Sequence, residues 1–134
     1  MSNADILRRG YAAFASGDIP QVLSMFHEDI EWIEAAGYIY AGTYTGAEDI
    51  VQNIFVPLGT EWEGFRVEPD SFICEGEDVA TRGWLSGTYK ATGIAFRARF
   101  VHWWTMTDGR ATRMESILDS AKLVEAVSPQ ADRS

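Results

Sequence analysis

The sequence predicts an α+β fold, in which three N-terminal helices pack on one face of a strongly curved, mainly antiparallel sheet and a short helix closes the chain. Apolar residues recur at helical spacing in roughly the first 56 positions and alternate with polar residues from Phe65 onward. Helices that come first and long strands that follow are typical of α+β domains. The 134 residues suffice for one domain and one core, which we expect over residues 1–128 with a tail at 129–134.

The first helix follows a capping signal. Ser2 with Asp5 three residues later resembles a capping box, and apolar residues recur at helical spacing from Leu7 to Phe14 until Gly17 ends the pattern. Gly10 inside this helix costs about 1 kcal/mol relative to Ala. We therefore expect another element to pack closely against Gly10.

Two further helices are predicted on the same grounds. Asp18 with Gln21 indicates a second, short helix. Thr45 with Glu48 indicates the start of a third, which we expect to end before Pro57 because proline lacks the N–H that a helix interior needs.

Alternation then predicts the strands. A short strand is expected at 30–33, and longer ones at 65–74, 79–89, 94–107 and 111–118. A last short helix is predicted at 120–127, before Pro129.

Composition excludes several classes of protein. Twenty acidic against 11 basic residues give a net charge of −9, without the basic cluster that nucleic acid or an anionic membrane would need. No segment resembles a signal peptide or a membrane span. The single cysteine, Cys74, forms no internal disulfide and belongs to no zinc-ligand pattern, so we expect a cytoplasmic protein without a metal or other cofactor.

The charges are unevenly distributed. Residues 48–78 contain nine acidic and one basic residue, whereas residues 79–113 contain six basic and one acidic. We expect the two halves to neutralise each other as neighbouring strands at the surface, with an acidic partner site as the alternative.

Asp108-Gly109 predicts the register of the last hairpin. Such a pair between alternating segments favours a two-residue type I′ turn, which pairs Thr107 with Arg110. Without a bulge, the partners on one face are then Trp104 with Arg113, His102 with Glu115, Phe100 with Ile117 and Ala98 with Asp119.

This face predicts a site for proton transfer. His102, Glu115 and Asp119 would lie among apolar residues, where the pKa of a carboxyl rises. Each residue has a structural alternative. His102 would be a core histidine paired with Glu115, Asp119 the N-cap of the last helix, and Glu115 a surface residue if a bulge shifts the register.

The end of the first predicted strand is a second candidate site. Glu34 shares a strand face with Trp32, and Tyr38 and Tyr40 follow in a loop. A carboxylate beside an indole could be a base with a raised pKa. The alternative is an exposed strand end.

Several segments together suggest a family. Residues 11–18, 25–32 and 44–50, the segment Phe100-Val101-His102-Trp103-Trp104 with its continuation to Arg110, and Ile117-Leu118-Asp119 resemble the SnoaL-like polyketide cyclase branch of the nuclear transport factor 2-like superfamily. The resemblance extends from about Ile6 to Val127. It implies a conical α+β barrel with a deep pocket, and a homodimer formed through the outer face of the sheet, here Val101 and Trp103.

The resemblance also implies site residues. Cyclases of this branch use an aspartate at the end of the last strand and a histidine on the preceding strand, which Asp119 and His102 match. Ketosteroid isomerases place their base where this chain has Glu34. Their oxyanion-hole tyrosine is unmatched, with Tyr11 one position away, and Val101 replaces their neutral aspartic acid, so steroid isomerisation is not implied.

Limonene epoxide hydrolases are matched only in part. They need Arg and Asp two residues apart on a middle strand, and this chain has Arg82 followed by Trp84. Epoxide opening is therefore not implied either.

Our leading hypothesis is a cofactor-free cyclase or isomerase that moves protons on an apolar carbonyl compound. Asp119 would be the acid/base, His102 would orient it, and Glu34 is the next candidate. The predicted substrate-binding residues are Trp32, Tyr38, Phe55, Trp84, Phe100, Trp104 and Glu115. The alternatives are a non-catalytic binding module for a hydrophobic metabolite and a dimeric interaction domain.

Overall fold

The computed structural model describes residues 1–128, so the predicted tail lies outside the described residues. Helix α1 (Asn3–Ala15) begins as predicted, because the Ser2 hydroxyl accepts a hydrogen bond of 3.1 Å from the Asp5 N–H. Helix α2 (Ile19–Leu23) is capped by the Asp18 carboxylate. The last helix, α5 (Ser120–Val127), has the predicted bounds.

The third helical segment differs from the prediction. It consists of α3 (Ala47–Ile50), a π-helical turn (Val51–Phe55) and α4 (Val56–Glu61), so it continues past Pro57. Pro57 is accommodated because it lies in the first turn of α4, where its missing N–H matters least. The N-cap is Gly46 rather than Thr45, and because glycine has no side chain it accepts no capping hydrogen bond.

Within residues 1–128, six strands form one sheet in the order β2-β1-β6-β5-β4-β3. Only β1 and β6 run parallel, and the other neighbours are antiparallel. The strand bounds are β1 Phe26–Glu34, β2 Gly42–Thr45, β3 Trp62–Glu75, β4 Asp78–Tyr89, β5 Ile94–Thr107 and β6 Arg110–Leu118. The edge strand β2 was not predicted, and β1 is longer than expected.

The β5–β6 hairpin has the predicted turn but not the predicted register. Asp108 and Gly109 both have positive φ, as a type I′ turn requires, and Thr107 pairs with Arg110. A bulge follows, because Thr105 pairs with Arg113 and Met106 with Ala111, which leaves Thr112 without a partner residue. Every later pair is shifted by one residue. The inward positions of β6 are therefore Met114 and Ser116, rather than Glu115 and Ile117.

Two glycines allow close packing around the core. At Gly83 on β4, a Cβ would overlap the Glu68 carbonyl oxygen and lie 2.7 Å from the Phe100 ring. At Gly10 on α1, a Cβ would overlap the Met25 Sδ and lie 2.6 Å from the Met25 Cε. Met25 thus packs closely against Gly10, as the glycine in this helix predicts.

The surface charges of β3 pair with those of β4 and β5. The Asp70 carboxylate accepts from Arg82 at 3.1 Å and from Arg99 at 2.8 Å. These pairs agree with the expected neutralisation between the acidic and basic halves of the chain. Within residues 1–128, no helix is long and apolar enough to cross a membrane.

Candidate functional site

A cavity of about 70 Å³ lies between the helices and the inner face of the sheet. This volume is room for several water molecules or a small ligand, since one water needs about 10–15 Å³. Most of its wall is apolar. The lining residues are Gly10, Tyr11, Phe14, Val22, Met25, Phe26, Trp32, Glu34, Tyr38, Ile54, Phe55, Leu58, Phe65, Val67, Leu85, His102, Trp104, Ser116 and Leu118.

One side of the cavity holds a chain of buried hydrogen bonds. The Trp104 Nε1–H donates to the Tyr11 hydroxyl at 3.1 Å, and that hydroxyl lies 2.6 Å from the His102 Nδ1. The Tyr11 and His102 rings are nearly parallel, with an interplanar angle of 6°, and the short contact between the hydroxyl and Nδ1 places them edge to edge. Burial lowers the pKa of His102 to about 3 and raises that of Tyr11 above its usual range, so both groups are neutral at physiological pH.

The other side of the cavity holds a buried carboxyl. Glu34, at the end of β1, is 8% exposed, and its Oε2 accepts a hydrogen bond of 2.8 Å from the Trp32 indole N–H. Burial raises the pKa of Glu34 to about 7, although the hydrogen bond from Trp32 favours the ionised form. A carboxyl with this pKa can both accept and donate a proton near neutral pH.

Four polar residues form a row across the inner face of the sheet. His102 on β5 pairs with Ser116 on β6 and with Thr81 on β4, and Glu34 follows Ile33, which pairs with Glu115 on β6. The row therefore runs Glu34, Ser116, His102, Thr81 over four adjacent strands. Ser116 Oγ and Thr81 Oγ1 are buried and make no hydrogen bond to any residue in the described part of the chain.

The structure places six of the ten predicted site residues at the cavity wall. They are His102, Glu34, Trp32, Tyr38, Phe55 and Trp104. Tyr38 is buried, and burial together with the nearby Glu34 raises the pKa of its phenol well above the usual range. The indole of Trp32 packs edge-on against both Phe55 and Trp104.

The prediction that Glu115 and Asp119 face a common cavity with His102 is wrong. The bulge at Thr112 turns Glu115 outward, where it lies 3.5 Å from Arg113 and is 44% exposed. Asp119 is exposed at the N-cap position of α5, and its carboxylate makes no capping hydrogen bond.

Two predicted aromatic residues also lie elsewhere. Trp84 is on the outer face of β4, where the Arg97 and Arg99 guanidinium groups lie 3.6 Å and 4.6 Å from its ring centroid. Alternation requires this, because Val79 and Leu85 of the same strand are buried on the inner face. Phe100 is buried behind His102, with ring centroids 4.2 Å apart, and does not line the cavity.

The partner of His102 was not predicted from the sequence. Tyr11 was assigned no role there, and its position one residue from the tyrosine of ketosteroid isomerases was the available signal. Ser116 was missed because the bulge was not predicted. Among residues 1–128, no group of three His, Cys, Asp or Glu side chains could hold a metal ion.

Helices packed over one face of a curved sheet, with an apolar cavity between them, define a class of conical α+β folds. The SnoaL-like domain model matches residues 7–114, and the chain therefore belongs to the SnoaL-like family. No protein with a curated description matches the chain.

Solved structures agree with this assignment. A nuclear transport factor 2-like protein from Burkholderia thailandensis is 34% identical, with a TM-score of 0.92 over 96% of this chain and 99% of that one. TerC, co-crystallised with polyporic acid, is 35% identical, with a TM-score of 0.83 over 92% and 96% of the two chains.

A more distant structure shares the fold alone. This protein from Catenulispora acidiphila, with a ketosteroid isomerase-like fold, is 16% identical, with a TM-score of 0.79 over 95% of each chain.

Proposed function

We propose that this protein binds an apolar carbonyl compound in the inner cavity and moves a proton on it, with Glu34 as the acid/base group. The observation that carries the proposal is a buried carboxyl in an otherwise apolar cavity, with one oxygen held by the Trp32 indole and the other without a partner in residues 1–128. A base in this setting is available near pH 7 and is oriented by its own hydrogen bond.

Glu34 replaces Asp119 in this role. A general base has to come within hydrogen-bond reach of the proton that it removes. Asp119 is exposed on the outside of the cavity, whereas Glu34 lines it. The chemistry is therefore the cyclase or isomerase type that the sequence suggests, carried by the second candidate rather than the first.

The size and polarity of the cavity support an apolar ligand. Its aromatic wall includes Trp32, Phe55 and Trp104, and TerC, a relative at 35% identity, was crystallised with polyporic acid. The uncharged aromatic ketone 2-tetralone is the first ligand to test, by isothermal titration calorimetry. A hydrophobic binding module without catalysis is the second candidate, and the same relative favours it because it was co-crystallised with an organic molecule.

Hydrogen–deuterium exchange separates the two candidates without knowledge of the natural substrate. The test compound is 2-tetralone in D₂O, whose protons beside the carbonyl exchange visibly by NMR. We expect the protein to accelerate exchange by about 10²- to 10⁴-fold. Glu34→Gln should lose this acceleration, and Asp119→Asn, a matched change of an exposed carboxylate, should keep it.

Two other results decide against the proposal. Exchange that survives in Glu34→Gln and disappears in Asp119→Asn would return the catalytic role to Asp119. Binding of 2-tetralone without accelerated exchange would favour the binding module.

The outer face of the sheet supports the expected homodimer. Trp103 is 45% exposed and Ile117 is 52% exposed on this face, which also carries the arginine-flanked Trp84. Large exposed apolar residues on one sheet face indicate an interaction surface. Sedimentation should show a dimer that Trp103→Glu dissociates, and a monomeric wild type would contradict this. A cytoplasmic location stays a prediction from the cysteine content.

A further inference from the structure

The hydrogen bonds around Tyr11 determine which nitrogen of His102 carries the proton. The Tyr11 oxygen already accepts from the Trp104 Nε1–H. Its own proton therefore needs an acceptor, and Thr81 Oγ1, on the strand beside His102, makes no hydrogen bond within residues 1–128. The His102 Nδ1, 2.6 Å away, is the acceptor that remains.

If the His102 Nδ1 carried the proton instead, the Tyr11 oxygen would accept two hydrogen bonds and its phenolic proton would be buried without an acceptor. An unmet buried donor of this kind is costly. The neutral imidazole therefore carries its proton on Nε2, and Nδ1 is the acceptor.

The His102 Nε2–H is available to a ligand. His102 lines the cavity, and its Nε2 has no partner in the part of the chain that the structure describes. The Tyr11 hydroxyl holds the ring at its Nδ1 edge, and Phe100 lies against its face, with ring centroids 4.2 Å apart. The donor is thus fixed in direction before any ligand binds.

We infer that Tyr11 holds His102 as the Nε2–H tautomer, and that this N–H binds an uncharged carbonyl oxygen of the ligand. The inference rests on the proposed function, because it concerns the same cavity and assigns the ligand atom that lies opposite Glu34. Tyr11 is a positioning residue, and Trp104 orients Tyr11.

The ligand class follows from the surroundings of the donor. None of the cavity-lining residues within 1–128 is Lys or Arg, so no cation compensates a negatively charged ligand. Glu34, on the same sheet face two strands from His102, would repel an anion whenever it is ionised. An uncharged ketone, aldehyde or quinone fits both the donor and the apolar wall.

The first measurement is the nitrogen-15 NMR spectrum of the two histidines of the full chain at pH 7, with His27→Gln assigning the signals. We expect His102 to show a protonated Nε2 and an unprotonated Nδ1. A protonated Nδ1, alone or in a charged ring, would overturn the inference.

Tyr11→Phe tests the positioning role. It removes the phenol that holds Nδ1, so the two tautomers should exchange and their nitrogen signals should average. Tyr38→Phe is the matched control, because it removes another cavity phenol that has no hydrogen bond to His102. A tautomer in Tyr11→Phe identical to that of the wild type would show that Tyr11 does not position His102.

Benzaldehyde and styrene test the ligand class. The two have nearly the same shape, only benzaldehyde offers a carbonyl oxygen, and benzaldehyde has no proton beside its carbonyl for Glu34 to remove. We expect benzaldehyde to bind about tenfold more tightly and to shift the His102 Nε2–H signal. Equal affinities would overturn the carbonyl assignment.

The double variant Tyr11→Phe/His102→Leu removes the donor without leaving an unpartnered phenol. Its preference for benzaldehyde should fall to within about twofold, and a preserved preference would place the donor elsewhere. These results do not depend on proton transfer. A failed exchange experiment with 2-tetralone would therefore refute the role of Glu34 and leave the assignment of His102 standing.

Discussion

Glu34→Gln should change how the stability of the protein depends on pH. Glu34 has a pKa of about 7 in the folded protein and 4.5 as an ordinary carboxyl. Because its folded pKa is raised, the folded protein holds this proton more tightly than the unfolded chain does. The contribution of Glu34 to the free energy of unfolding is therefore largest below pH 4.5 and falls as the pH rises to about 7.

The two pKa values give the size of the effect. Linkage predicts that ionising Glu34 costs about 2 kcal/mol of folding free energy between pH 5.5 and pH 8.5, with most of the loss complete by pH 7.5. Glutamine stays neutral and keeps an oxygen for the Trp32 N–H, so Glu34→Gln lacks this loss. We subtract the free energy of unfolding of the wild type from that of the variant at each pH. This difference should be about 2 kcal/mol more favourable to the variant at pH 8.5 than at pH 5.5.

Urea unfolding followed by tryptophan fluorescence, from pH 5.5 to 8.5, measures the difference. The lower limit avoids the sequence pI of about 4.6. His102 has a pKa lowered to about 3 in the folded protein, so its titration destabilises the protein as the pH falls below 6.5. This effect is the same in both proteins and cancels in the difference between their stabilities. Glu31→Gln is the control, since Glu31 lies on the exposed side of the same strand. Parallel curves for wild type and Glu34→Gln would refute the neutral, buried Glu34.

Three glycine substitutions test the packing. Gly83→Ala should destabilise the protein by about 2 kcal/mol or more, because the added Cβ overlaps the backbone of β3. Gly59→Ala in α4 is the control, because its Cβ meets no atom of the described residues within 4 Å and should stabilise the protein by up to about 1 kcal/mol. Equal urea midpoints for the two variants would contradict this. Gly10→Ala should push the Met25 thioether into the cavity, because the added Cβ overlaps it. Benzaldehyde binding should weaken by about tenfold or more, with little change in melting temperature. Unchanged affinity would show that Met25 moves elsewhere.

Much of the fold could be predicted because it follows from periodicity and turn chemistry. The bounds of β5 and α5 agree with the alternation and with the cap position, and the Asp108-Gly109 turn has its expected type. The short edge strand β2 could not be predicted, since its four residues are mostly exposed and show no alternation. The π-helical turn before Pro57 has no local sequence signal either.

The site was predicted only in part, because it depends on contacts between distant parts of the chain. His102 and Tyr11 are 91 positions apart, and no spacing rule links a helix residue to a strand residue at that distance. The inner face of β6 was predicted wrongly because one bulged residue, Thr112, reverses the alternation that the turn sets. Glu34 was found because it follows Trp32 by two positions, which places both on one strand face.

The bulge at Thr112 also shows how this fold can acquire a different chemistry. Loss of that single residue would restore the unshifted register, in which Glu115 faces inward beside His102 and Ser116 faces the solvent. An insertion or deletion in this hairpin therefore exchanges the inward-facing and outward-facing residues of β6 all at once, without any substitution. Alignments of relatives that differ by one residue here will pair cavity-lining positions with surface positions, so the length of the hairpin has to be compared before its residues are.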